Sequence, residues 1–136
     1  MERRNVWLIC GTAVAVVEVL SAFARSRQVV SAEAMDSLRH TLFLVAGVGS
    51  GRLEASGRLR GAVWAAIQTG VVMGAVSCLL NHVLSRRFGL VPGEMAGMAM
   101  AHLLVVCFVT VLTAATLAGL GGIAGWGVRR AVEPAD

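Results

Sequence analysis

The chain has 136 residues, enough for one domain; 57% of them are hydrophobic and 15% charged, with a mean hydropathy of +0.75. A water-soluble domain averages roughly 45–50% apolar and about 25% charged residues, and here the apolar excess sits in long runs, the pattern of membrane-spanning helices. The net charge of +4 comes from arginine alone, twelve of them with no lysine, which excludes Schiff-base chemistry such as a retinal pigment. The arginines flank the apolar runs, where lipid phosphates lie, so the charge implies a lipid bilayer as partner and no nucleic acid.

These numbers predict an all-α integral membrane bundle. It has three long transmembrane helices and a short second segment that is also expected to span, four in total. Residues 1–130 form the single domain and 131–136 a short polar tail. The arginine-only basic content, with abundant Ala, Gly and Val, fits a GC-rich coding bias and points to a bacterial cytoplasmic (inner) membrane.

In chain order, Val6 to Ala24 is the first predicted helix, about 28 Å long against a bilayer core of about 30 Å. Its basic start and Ala22-Phe23-Ala24 imitate a cleaved leader. Glu18 interrupts the apolar run and the sequence opens on Met1, so the segment is expected to be retained. Glu18 is the acidic residue set deep in an apolar run, and an intramembrane carboxylate is a candidate for proton or cation coupling. AVVEVLSA resembles the acidic first helix of small multidrug-resistance transporters. The chain has no tyrosine and few aromatics to cage an organic cation, and that family is set aside.

The second segment starts at Ser31, a predicted N-cap followed by acidic residues. Its uninterrupted apolar part, TLFLVAGVGSG, lies between Arg39 and Arg52. Spanning requires those arginines to snorkel outwards; the alternative is an interfacial piece. If it spans, both termini share a side with seven arginines (3, 4, 52, 58, 60, 129, 130) against five; if it does not, eight (25, 27, 39, 52, 58, 60, 129, 130) face four, which obeys the positive-inside rule slightly better, and neither bias decides the orientation.

Gly61 to Ser85 is the third predicted helix. Ala62, Ala66, Gly70, Gly74 and Cys78 form a ridge of small residues at spacing four, and His82 follows. Lipid tails solvate apolar side chains as well as protein does, so membrane helices associate through close backbone approach. Ala66, Gly70 and Gly74 are therefore assigned to helix packing. The drift of about 40° per step on a 3.6-residue helix is expected to turn Cys78 and His82 towards another face. Gln68 in this helix is the natural partner of Glu18 if the second segment does not cross; if it crosses, the two lie near opposite faces.

The fourth helix is expected from near Glu94, with Gly97 and Ala101 as further packing positions, Gly121 and Gly125 repeating the spacing, and a kink or frayed end among Gly119, Gly121, Gly122, Gly125 and Gly127. His82 and Cys78 on helix 3, with His102 and Met98 on helix 4, form a candidate metal set suited to copper, or a pair of haem ligands in the two histidines. The three cysteines (10, 78, 107) are odd in number and lie in apolar runs; they are expected to be reduced packing residues. No soluble catalytic apparatus is visible, and an enzyme is not the favoured reading. The leading expectation is a small subunit that assembles through its small-residue ridges, with itself or with other membrane subunits, into a transport or energy-coupling complex. A proton- or ion-coupled transporter or channel centred on Glu18, and a metal or haem redox protein, are the alternatives.

Overall fold

The computed structural model describes residues 3–88 and 100–132, with side chains over 6–88 and 102–132. Within them the chain is four α-helices and no strand: α1 (Arg3–Ser26), α2 (Ala32–Leu53), α3 (Leu59–Arg87) and α4 (Met100–Val132). Three helical stretches are long and apolar enough to cross a membrane: Val6–Ser26, Leu59–Arg87 and His102–Val132. The α2 helix has 22 residues, about 33 Å, but carries Glu33, Asp36, Arg39 and Arg52 and is not one of the three.

The second segment is thus twice as long as its apolar stretch alone. Ser31 caps it as its sequence implied: its backbone is extended (φ −71°, ψ 154°) and its Oγ accepts from the Ala34 amide at 3.2 Å. Such a cap satisfies one of the amides a helix start leaves unpaired. The turn before it places Gln28 at φ 56°, while its amide donates to Arg25 O and the Val29 amide donates to Ala24 O, both at 3.0 Å.

The helices run alternately up and down, with α2, α3 and α4 packed against one another and α1 laid on α3 and the edge of α2. One residue from each helix meets at the centre: Val14, Phe43, Met73 and Ala114. Backbone proximity organises the rest. A Cβ at Gly47 or Gly51 of α2 would fall on the backbone of Ala118 or Gly122 of α4. Conversely, one at Gly121 or Gly125 would fall on Leu44 or Val48. The terminal glycines of α4 therefore do not break it. Gly121, Gly122 and Gly125 form the groove that receives α2, and the helix runs unbroken to Val132. Its predicted start near Glu94, with Gly97, lies outside the described residues, as does the side chain of Ala101.

The ridge of α3 faces α4. A Cβ at Gly70 would lie 2.8 Å from Ala115 Cα, and one at Gly74 would lie 2.8 Å from Val111 Cα. One further turn along α3, and one turn back along α4, bring Cys78 and Cys107 opposite each other with Cα atoms 5.4 Å apart, and their sulfurs are joined in a disulfide. Two expectations fail here. The cysteines are not all reduced, and Cys78 does not turn to another face. The two helices stay aligned one turn beyond Gly74, which brings both thiols into disulfide range.

Candidate functional site

Glu18 sits on the face of α1 that meets α2 and α3, and it is 2% exposed. Arg39 of α2 grips it as a fork: Nε donates to Oε1 at 2.6 Å and Nη2 to Oε2 at 3.1 Å. Ser77 of α3 donates its hydroxyl to the same Oε1, and Arg39 Nη1 donates to Asp36 Oδ1 at 2.7 Å. One carboxylate therefore ties three helices together. The guanidinium fork suits this role because its planar donors match both carboxylate oxygens at once.

Arg39 does not snorkel to the membrane edge as expected, and the Glu18–Gln68 bond expected for a non-crossing second segment is not formed. Glu18 lies eight residues before the end of α1 and Arg39 seven after the start of α2, so the antiparallel hairpin sets them at one level. That equal spacing from the turn was the available signal. Gln68 joins no part of the clasp, and its Oε1 is buried without a hydrogen-bond partner.

Arg39 also separates two cavities at this end of the bundle. The first, about 250 Å³, lies between α3 and α4 and is bounded by Arg39, Ser77, Cys78, Asn81, His82 and Thr110 among others. The second, about 160 Å³, lies between α2 and α4 with Asp36, Arg39, His40 and Thr110 in its wall. Both are large enough to hold water, and their walls mix these polar groups with apolar ones such as Val106, Phe43 and Val109. The clasp, two imidazoles and a file of hydroxyl and amide groups share a few turns of helix.

The candidate metal set is not assembled. Cys78 spends its sulfur on Cys107, His102 is exposed while His82 lines the first cavity, and Met98 lies outside the described residues. No group of three or more His, Cys, Asp or Glu capable of holding a metal exists among the described residues. A second polar tie, missed in the sequence, joins α2 to α3: Ser50 and Thr69 hydroxyls lie 2.9 Å apart, both buried, and Thr69 donates to Ala65 O at 3.0 Å.

The opposite end of the bundle holds the α2–α3 connection. It is pinned to α4, where Trp126 Nε1 donates to Gly57 O at 3.0 Å and Arg129 donates to Glu54 O. Comparison with protein families, with curated proteins and with solved structures finds no match to this chain.

Proposed function

We propose that the chain is a four-span protein of the bacterial inner membrane that couples proton or ion movement to the Glu18–Arg39 pair. The observation that carries this reading is the pair itself, a fork of 2.6 and 3.1 Å bonds beside two cavities. Charges inside a bilayer are costly and mark functional positions by default. Packing alone does not need them, since apolar residues of similar volume hold buried positions as well or better. Protonation of Glu18 would reduce a two-bond ion pair to weaker hydrogen bonds. Arg39 would then keep Asp36 and face the cavities, and α1 would lose its main polar tie.

In this reading α2 is the fourth span. Its Arg39 is neutralised internally, and Glu33 and Arg52 fall in its first and last turns. Both termini then share a side with seven arginines against five, and the positive-inside rule makes that side cytoplasmic. The disulfide lies towards the other end, where an oxidising compartment would preserve it. Two unrelated criteria support one orientation.

Purified protein in liposomes, under an imposed potential, tests the reading through proton flux reported by an internal pH dye. Wild type is expected to conduct above protein-free liposomes, and Glu18→Gln to lose that flux. The double variant Glu18→Leu/Arg39→Met removes both members of the buried pair and leaves only the solvent-exposed Asp36 without its arginine, so it separates lost function from lost folding. Wild-type flux in either variant, or none in wild type, ends the proposal.

The second reading is a subunit that packs with copies of itself or with larger membrane partners. Ala66, Gly70 and Gly74 no longer argue for it, because they are used inside the fold. What supports it is the bare outer face of α4, where Leu104, Phe108 and Leu112 are more than half exposed. The mass of the complex in mild detergent tests it.

A further inference from the structure

We propose that the groove beside the α2–α3 connection binds the headgroup of an anionic phospholipid, held by Arg58 and Arg60 with Trp64 beneath. The inference rests on the membrane reading above. The groove is a cavity of about 760 Å³, and Ser56, Arg58, Arg60 and Trp64 stand in its wall. Neither the Arg58 nor the Arg60 guanidinium has an ion-pair or hydrogen-bond partner among the described residues, and both residues are exposed. Two uncompensated guanidinium groups facing one groove favour a ligand with net negative charge. A zwitterionic headgroup brings its own cation and cancels the advantage.

The level of the groove is independent of its charge. Trp7, Trp64 and Trp126 are the chain's three tryptophans, and all three lie at this end: early in α1, early in α3 and late in α4. Indoles collect at the boundary between headgroup and acyl chain. Arg60 and Trp64 are one turn apart on the same side of α3, with their Cα atoms about 6 Å apart along the helix axis. That offset matches phosphate above and ester or upper acyl chain below. Trp64 is 57% exposed, an indole face still open to a lipid chain. The wall is also held firm, since Trp126 and Arg129 fix the connection at Gly57 and Glu54. Arginine is the residue suited to such phosphate contacts, through its paired donors.

Native mass spectrometry of the detergent-purified chain, titrated with phosphatidylglycerol and with phosphatidylcholine, tests the site. A juxtamembrane arginine is worth about fivefold in affinity for an anionic lipid, so Arg58→Gln/Arg60→Gln should weaken phosphatidylglycerol binding about thirtyfold. Arg86→Gln/Arg87→Gln, at the other end, should leave it unchanged. Equal retention of the two lipids, or equal loss in both double variants, overturns the proposal. So does displacement of the lipid by equimolar glycerol phosphate, which would make the groove a site for soluble anions. Liposome flotation of the same sample separates the two levels of the argument. A chain that stays in aqueous buffer as a folded monomer removes the membrane reading and this site with it, whereas one that floats without lipid preference removes the site alone.

Discussion

Replacing Glu18 with glutamine keeps the shape of the side chain and its bond from Ser77 but removes the charge that Arg39 grips. The carboxylate is 2% exposed and the guanidinium side chain 13%, so solvent compensates little. Breaking one partner of a buried pair costs about 3–5 kcal/mol, much of it from the charge left behind. Asp36 remains within reach at 2.7 Å but is itself 56% exposed, which places the expected loss near the lower end, about 3 kcal/mol. That is more than a hundredfold in the folding equilibrium. Arg39→Met should cost a similar amount by stranding Glu18, whereas Glu18→Leu/Arg39→Met should lie within about 1 kcal/mol of wild type or be more stable. The assay is unfolding in mixed dodecyl maltoside and SDS micelles followed by circular dichroism, with Glu18→Leu alone added so that it, Arg39→Met and their combination close a double-mutant cycle. A coupling energy of about 2 kcal/mol or more is expected, above the roughly 0.6 kcal/mol typical of a neutral hydrogen bond between membrane helices. If both single variants unfold within about 1 kcal/mol of wild type, as an exposed ion pair would, the clasp is solvated and the reasoning fails.

Thiol counting with a maleimide polymer on denatured protein should give one adduct, at Cys10, before reduction and three after it; three adducts without reductant would remove the Cys78–Cys107 bond. Gly74→Leu should force α3 from α4 and lower the disulfide-bonded fraction, because a Cβ there already meets Val111 Cα at 2.8 Å. Gly47→Leu should separate α2 from α4 at a cost of about 1–3 kcal/mol or more, while Gly49→Leu, with nothing within 4 Å of its Cβ, should be near neutral. Melting curves of the pair check this, and equal losses would mean the glycine seam is not the contact. Trp126→Phe should loosen the α2–α3 connection by about 1 kcal/mol through loss of the bond to Gly57, read as faster proteolysis near Ser56.

The sequence made the helices legible because each long apolar run declares itself, and Ser31 declared the start of α2 through its capping chemistry. The packing residues Ala66, Gly70 and Gly74 were legible for the same local reason, as a spacing on one helix. What they pack against was not, because that is a relation between helices. Gly47-x-x-x-Gly51 lies in a run read for its length alone, whereas Gly121-x-x-x-Gly125 of α4 is legible as a packing pair, although the crowd of glycines around it suggests a weak end that the helix does not have. The disulfide shares this origin. Cys78 and Cys107 are 29 residues apart, and only the register of α3 against α4 makes them neighbours. Arg39 was misplaced because a membrane-edge arginine can point to water or inwards, and the choice depends on the carboxylate across the hairpin.

The sulfur bridge between α3 and α4 separates two kinds of continuity. A protease that cuts after Arg86 or Arg87 severs the peptide backbone between these helices, yet both pieces stay bonded through Cys78 and Cys107 until a reductant arrives. A nicked molecule would migrate as a full-length band without reductant, so wear at this junction goes unseen unless the gel is run both ways.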